Sequence, residues 1–146
     1  MDSQLRVFVV EDETLLQMQL EVFLEEAGHQ MVGSATTFAE AIAEAIPSQA
    51  DLALVDIHLA DGPTGVEVGR MLAERGIPVV FMTANTARIP ADFSGAIGII
   101  SKPYSQAGVA EALRFLVGAV KNPPPEEVPP PSLVLAPIIA ARWHLN

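Results

Sequence analysis

The sequence contains no cysteine and little positive charge, with eight lysine and arginine residues against 18 aspartate and glutamate residues. Without cysteine, the chain forms neither a disulfide bond nor a zinc site with thiolate ligands. The formal net charge of −10 argues against a non-specific grip on nucleic acid or on anionic lipid. The lack of disulfides suits a reducing compartment, so we expect a cytoplasmic location.

Long apolar runs are also absent. The first ten residues, MDSQLRVFVV, lack the basic region followed by an apolar stretch that is typical of a signal peptide. No apolar run approaches the roughly 20 residues that a membrane-spanning helix needs. What is present is a chain of 146 residues that is half apolar, enough for one domain with a real core. We expect neither nucleic acid nor a membrane among its partners.

Five short apolar segments predict β-strands, and helical patterns alternate with them. The strand segments are residues 5–10, 30–35, 51–56, 77–83 and 96–101, and the helical ones are 14–27, 37–46, 65–75 and 106–120. Three of the strand segments are nearly all apolar, as expected for parallel strands that are covered on both faces. The order predicts an α/β domain with a five-stranded parallel sheet, (βα)5, flanked by helices. Pro90 and Gly95 interrupt residues 84–95, which predicts a shortened or irregular fourth helix.

The composition changes at Asn122, which divides the chain into residues 1–121 and residues 122–146. Seven of the twelve prolines lie in the second part, and their triplets favour an extended linker. The last residues, SLVLAPIIAARWHLN, are too apolar to remain free in water, and Pro137 is suited to begin a short helix over 137–145. We expect this segment to dock on its own domain or on a partner, and membrane contact is the lesser alternative.

Polar side chains follow four of the five predicted strands. They are Glu11 and Asp12 after the first, Asp56 at the end of the third, Thr83 at the end of the fourth and Lys102 after the fifth. The carboxyl ends of parallel strands meet at one edge of the sheet, where ligands bind. The sequence therefore predicts that these five side chains lie together.

Clustered carboxylates that face water suit a hard divalent cation, Mg²⁺ above all, with Mn²⁺ as a second candidate. A carboxylate beside such an ion can attack a phosphoryl group and form an acyl phosphate. Each residue alone also has a plainer explanation. Glu13 is predicted to cap a helix, Thr83 could bond locally, and Lys102 could simply be solvated.

Four stretches together resemble the receiver domain of two-component response regulators. They are VFVVEDE (7–13), LALVDIHLADGPTGVEV (52–68), VVFMTAN (79–85) and SKPYS (101–105). Their order and spacing match this family over residues 5 to about 118. The resemblance implies a doubly wound, flavodoxin-like fold for a receiver domain at 1–121.

The resemblance also implies roles for single residues. Asp56 would be the phosphoacceptor, receiving a phosphoryl group from a phosphohistidine of a sensor kinase. Thr83 and Lys102 would bind the phosphoryl oxygens. Asp12 and Asp56 would bind Mg²⁺ directly, Glu11 would act through a water, and the backbone carbonyl of His58 would be another ligand.

The switch region departs from the family pattern. The family often has an aromatic residue where this chain has Ile99, and Tyr104 lies beyond the lysine and is not its equivalent. The resemblance implies that Thr83 reports the arrival of the phosphoryl group and that the Lys102–Pro103 peptide bond is cis. The fourth and fifth helices and the fifth strand form the family's common output surface, so we expect an unusual output face here.

The function implied is a stand-alone signalling module without a DNA-binding output domain. It would catalyse its own phosphorylation and dephosphorylation, and it would not be an enzyme that turns over an external metabolite. Its expected partners are a sensor histidine kinase or a histidine phosphotransfer protein, an unidentified output protein, and a second copy bound through the fourth and fifth helices or through the C-terminal segment. The signal would leave by protein contact or by phosphorelay.

Two alternatives remain open. One is a receiver-like scaffold that binds partners without phosphorylation. The other is an aspartate-nucleophile phosphatase of the haloacid dehalogenase type. The phosphatase is disfavoured because its nucleophile would follow the first strand as Asp-x-Asp, whereas Glu11–Asp12 stands there.

Overall fold

A single mixed sheet forms the centre of the computed structural model, which describes residues 3–145. The strands are β1 (Arg6–Val10), β2 (Gln30–Ala35), β3 (Leu52–Asp56), β4 (Val79–Thr83), β5 (Gly98–Ser101) and β6 (Val134–Leu135), in the order β2-β1-β3-β4-β5-β6. The first five strands are parallel, which confirms the predicted α/β fold. The predicted number of strands was wrong by one, because β6 adds to the edge of β5 in the antiparallel direction.

Helices cover both faces of the sheet. They are α1 (Thr14–Glu26), α2 (Phe38–Ser48), α3 (Gly65–Glu74), α4 (Gln106–Lys121) and α5 (Pro137–Arg142). Residues 84–95 form no α-helix and contain two short 3₁₀-helices, Thr86–Arg88 and Phe93–Gly95. The irregularity predicted there is confirmed, and α4 stands where the sequence predicted the fifth helix.

The central strands are mostly apolar because the sheet has a core on each side. Successive residues of a strand point to opposite faces. Val7 and Val9 therefore pack with α1 and α4, while Phe8 and Val10 pack with α2 and α3. Among the residues that the structure describes, no helix is both long and apolar enough to cross a membrane.

The C-terminal segment packs on the domain through β6 and its flanks. Leu133 and Ala136 are almost completely buried, with 3% and 0% of their surface exposed. Pro137 begins α5, as its position in the sequence suggested, but the helix ends at Arg142 and is shorter than predicted. The division of the chain at residue 121 into a domain and a separate segment stays a prediction.

Candidate functional site

The five side chains predicted from the strand ends meet at one edge of the sheet. Glu11 and Asp12 directly follow β1, while Asp56 and Thr83 are the last residues of β3 and β4. Lys102 follows β5. Since β1, β3, β4 and β5 are consecutive neighbours in the sheet, their carboxyl ends form one continuous rim.

The Lys102 ammonium group connects two of the carboxylates. Its Nζ atom lies 2.8 Å from Glu11 Oε1 and 2.9 Å from Asp56 Oδ2. The side chains are 19% exposed for Lys102, 3% for Glu11 and 10% for Asp56. Charged hydrogen bonds this well shielded from water are stronger than ordinary surface ion pairs.

Three carboxylates share this corner. Glu11, Asp12 and Asp56 each offer an oxygen, and these oxygens lie within 4.8 Å of one another. Asp12 is exposed, whereas Glu11 and Asp56 are buried. Three acids face one lysine, so the corner has an excess of negative charge and an all-oxygen set of ligands. Such a set fits a hard divalent cation.

Burial and charge act in opposite directions on the ionisable groups of the site. Burial raises the pKa of Glu11, and hydrogen bonds from Lys102 and from the Glu13 amide offset only part of that rise. Burial would lower the pKa of Lys102, but its bonds to Glu11 and Asp56 outweigh that effect and raise the pKa. Lys102 therefore stays charged, since one cation is shared by two carboxylates.

Glu11 is held by several backbone contacts. Its amide donates to the Ala35 carbonyl at 2.9 Å, and its Oε2 accepts from the Glu13 amide at 3.1 Å. The Gln17 side chain donates to the Glu11 carbonyl, a contact that sequence reasoning missed. The predicted position of Glu13 is confirmed, because it occupies the N-cap of α1, but its side chain makes no capping hydrogen bond.

Asp56 has both of its oxygens engaged. Oδ2 bonds to Lys102, and Oδ1 accepts from the His58 amide at 3.3 Å. The His58 side chain is exposed. Gly65, the first residue of α3, lies so close that an added Cβ would collide with the Asp56 carbonyl oxygen. The start of α3 is thus packed directly against the strand end that carries Asp56.

Thr83 connects the end of β4 to the loop that contains Lys102. Its side chain is inside the protein, with 1% of the residue exposed, and its Oγ1 accepts from the Asn85 amide at 3.0 Å. Its carbonyl accepts from the Lys102 amide at 2.9 Å. Accepting the bond from the Asn85 amide leaves the proton of the threonine hydroxyl available for donation.

Ile99 and Tyr104, which the resemblance assigns to the switch region, pack on opposite faces of the sheet. Ile99 is 4% exposed and packs in the core on the α2 and α3 side. The Tyr104 ring makes an edge contact with Phe23, with centroids 6.4 Å apart, and its hydroxyl is buried without a hydrogen-bond partner in the described part of the chain. Burial raises the pKa of Tyr104 to about 12. The Lys102–Pro103 bond is cis, as the resemblance implied.

A family model for the response regulator receiver domain matches residues 7–114. This chain belongs to the receiver domain family. The recognition made from its four sequence stretches is confirmed, and the chain is a module of two-component signalling. The phyllosphere-induced regulator PhyR of Methylorubrum extorquens is 35% identical over 115 residues, which cover 77% of this chain and 43% of PhyR.

Solved receiver structures have the same architecture. SdrG from Sphingomonas melonis Fr1 is 34% identical with a TM-score of 0.64, covering 77% of this chain and 96% of SdrG. The receiver domain of the sensor histidine kinase PA1611 from Pseudomonas aeruginosa has a TM-score of 0.67 at 21% identity, over 79% of this chain and 98% of that domain. That structure holds a magnesium ion in its active site cleft, but at this identity the likeness shows only the fold. The chain spans about half the length of the curated relatives it matches.

Proposed function

We propose that this receiver takes a phosphoryl group onto Asp56 in the presence of Mg²⁺. The observation that carries the proposal is the Lys102 ammonium group, which bridges Glu11 and Asp56 beside the exposed Asp12. A fixed cation next to an acidic cluster suits the transfer of a phosphoryl group, because that reaction depends on positioning and on charge stabilisation.

Asp56 is the best candidate for the nucleophile among the three acids. Glu11 is the most buried, and Asp12 is exposed, as expected of a metal ligand open to solvent. Asp56 ends a central strand, and its carboxylate is oriented by Lys102 and by the His58 amide. In the proposed step, an Asp56 oxygen forms a bond to phosphorus, the N–P bond of a phosphohistidine breaks, and its electron pair leaves with the imidazole.

The carboxylates fit a magnesium ion. Asp12 and Asp56 would bind it directly, Glu11 would bind through a water, and the His58 backbone carbonyl would complete the protein's share of the ligands. The ion would neutralise negative charge on the phosphoryl oxygens. No finding favours Mn²⁺, so the proposal is restricted to Mg²⁺.

Lys102 and Thr83 would then hold the phosphoryl group. Lys102 would keep its positive charge and exchange its bond to Asp56 for one to a phosphoryl oxygen. The Thr83 hydroxyl would donate to another oxygen. Hydrolysis of the acyl phosphate by water would reset the site, with the exposed His58 ring and Asn85 at its border. We propose no external substrate for this module.

The surface next to the acidic corner supports a protein as the phosphodonor. Helix α1 starts immediately after the acids, and its outer face shows Leu15, Met18 and Val22, which are 79%, 56% and 50% exposed. An apolar stripe with a spacing of three and four residues suits contact with another helix. We propose a histidine kinase or phosphotransfer protein as the donor. Output by protein contact or phosphorelay, a homodimer and a cytoplasmic location stay predictions.

The decisive test is the mass of the protein after incubation with acetyl phosphate, with and without Mg²⁺. We expect one added phosphoryl group that requires Mg²⁺ and is absent from Asp56→Asn. A gain that persists in Asp56→Asn would move the nucleophile to another residue. No gain in the wild-type protein would favour a phosphorylation-independent scaffold, an alternative that the replacement of the usual switch aromatic by Ile99 keeps open.

A further inference from the structure

The outer edge of β5 is paired with the chain's own C-terminal segment. Residues Val134 and Leu135 pair antiparallel with Ile99 and Gly98. One further bond extends the contact, from the Ala136 amide to the Ile97 carbonyl at 2.8 Å. An open strand edge offers unpaired backbone groups to any extended peptide, and here residues 132–136 take that place.

Two side chains anchor this short strand. Leu133 is 3% exposed and belongs to the core on the α1 and α4 side, and Ala136 is completely buried. The Ser132 hydroxyl adds a bond to the Gly108 carbonyl at 2.8 Å, in the first turn of α4. The domain therefore holds the strand by a buried leucine and a buried alanine three residues apart, while Val134 between them is 55% exposed.

Gly98 allows the C-terminal segment to approach β5 closely. Its backbone is not in the left-handed region, so its conformation does not require glycine, and glycine weakens the interior of a strand. A Cβ at this position would collide with the Val134 carbonyl oxygen and lie 3.3 Å from Leu133 Cδ1. The three atoms nearest to that position all belong to the C-terminal segment, so the close approach of this segment explains the glycine.

The strand pairing itself is short. The strand β6 has only two residues. The linker that precedes it is rich in proline, and its Glu127 forms an ion pair of 3.8 Å with Arg114 in which both side chains are mostly exposed. Exposed pairs of this kind contribute little to stability. The covalent tether gives the segment a high effective concentration at the edge, and the partly buried Ile139 and Trp143 pack on the same core.

We propose that the β5 edge around Gly98 is a strand-docking site and that residues 132–136 occupy it as a displaceable intramolecular ligand. The partner that fits the vacated edge is an extended segment of another protein, running antiparallel to β5, with a leucine-sized residue and an alanine-sized residue three positions apart. This proposal does not depend on phosphorylation of Asp56.

The test uses a fluorescently labelled synthetic peptide of residues 129–145 and full-length variants, with binding measured by anisotropy. Leu133→Asp removes the anchor from the chain's own segment and leaves Gly98 intact, so the peptide should bind this variant at least ten times more tightly than the wild type. Val134→Asp places the same charge on the exposed neighbour and should behave as the wild type does. The double variant Leu133→Asp, Gly98→Ala should lose peptide binding.

Equal binding of the peptide to all four proteins, or no binding to a folded Leu133→Asp chain, would overturn the proposal. Hydrogen exchange on the wild type gives an independent measurement that needs no variant. The amides of residues 134–136, of which that of Ala136 donates to the Ile97 carbonyl, should exchange together and at least ten times faster than those of β3. Protection of these amides equal to that of β3 would contradict a displaceable strand.

Discussion

Lys102 is the residue on which the charge balance of the site depends. It is the only cation bonded to Glu11 and Asp56 in the described chain, and it neutralises part of the repulsion between them. Without it, two largely buried carboxylates would face each other and Asp12 with no positive partner. Like charges this close oppose folding unless a cation or a proton joins them.

Replacement of this residue gives a first prediction. Lys102→Met should lower the free energy of unfolding by about 1–3 kcal/mol in EDTA, because buried charged groups lose their partner. The loss should shrink when Mg²⁺ is added, since the ion replaces the missing charge. Urea denaturation under both conditions measures this. Arg114→Met, which removes an exposed pair with Glu127 at 3.8 Å, serves as the control and should cost less than about 1 kcal/mol. Equal losses with and without Mg²⁺ would contradict the charge argument.

His29, away from the acidic corner, also has a shifted pKa. It is 7% exposed, and its Nδ1 accepts the Leu5 amide at 3.0 Å. Burial, with a smaller contribution from the charge of Lys121, lowers its pKa below the usual 6.5. The unfolded chain therefore takes up a proton just below pH 6.5 while the folded chain resists, so stability falls as the pH decreases through this range.

The variant His29→Asn should remove this pH dependence. An asparagine oxygen can accept the Leu5 amide as Nδ1 does, but it takes up no proton in this range. The wild type should lose stability from pH 6.5 to 5.5 with a slope of at most about 1.4 kcal/mol per pH unit from this group. The slope of the variant should be shallower by that contribution. Denaturation curves at several pH values compare the two proteins, and parallel slopes would show that His29 protonates equally in both states.

At the scale of elements, the approach of α3 to the sheet positions the strand end that carries Asp56. Gly65 and Gly69 lie on the inner side of α3, and an added Cβ would collide with the Asp56 carbonyl at the first and with the Phe81 ring at the second. The helix can approach closely only because these positions lack a side chain. Protein interiors are densely packed, so the atoms around an added Cβ have little room to move away.

Gly69→Ala tests this packing. Phe81 is completely buried, so the ring cannot move into solvent, and we expect a loss of about 1–3 kcal/mol in the free energy of unfolding. The matched control is Gly118→Ala in α4, where nothing lies within 4 Å of the added carbon. That variant should be neutral or more stable by up to about 1 kcal/mol, because alanine favours helices. Thermal denaturation distinguishes the two, and a neutral Gly69→Ala would refute the close-packing argument.

At the scale of the whole molecule, binding of Mg²⁺ should stabilise the folded chain. The three acids are brought together only by folding, so the ion binds the folded state in preference to the unfolded one. At ten times its dissociation constant, Mg²⁺ should add about 1.4 kcal/mol to the free energy of unfolding. Asp12→Asn should lose most of this gain, and NaCl at matched ionic strength should not reproduce it. Calorimetric melting curves measure the effect, and an equal gain in Asp12→Asn would exclude Asp12 as a ligand.

Much of this architecture is determined locally by the sequence. Three of the strand segments are nearly all apolar because they are covered on both faces, and this pattern can be recognised without knowing which strands are neighbours. Asp56 and Thr83 end two of these segments, and Glu11, Asp12 and Lys102 directly follow two others. The rule that parallel strands end at one edge was therefore sufficient to group these five residues. Pro90 and Gly95 likewise predict that no regular helix forms before β5.

Other features were decided only by tertiary packing. Gln17 binds the Glu11 carbonyl, and Glu11 accepts the Glu13 amide, because the turn into α1 brings these groups together in space. The segment after the linker reads as apolar in sequence, but its pairing with β5 depends on a gap beside Gly98 that only the folded sheet creates. Sequence alone therefore determined the five parallel strands and the residues at their ends, since these follow from local patterns. The folded structure decided which groups share Lys102 and which segment fills the β5 edge, since both depend on contacts between residues far apart in the chain.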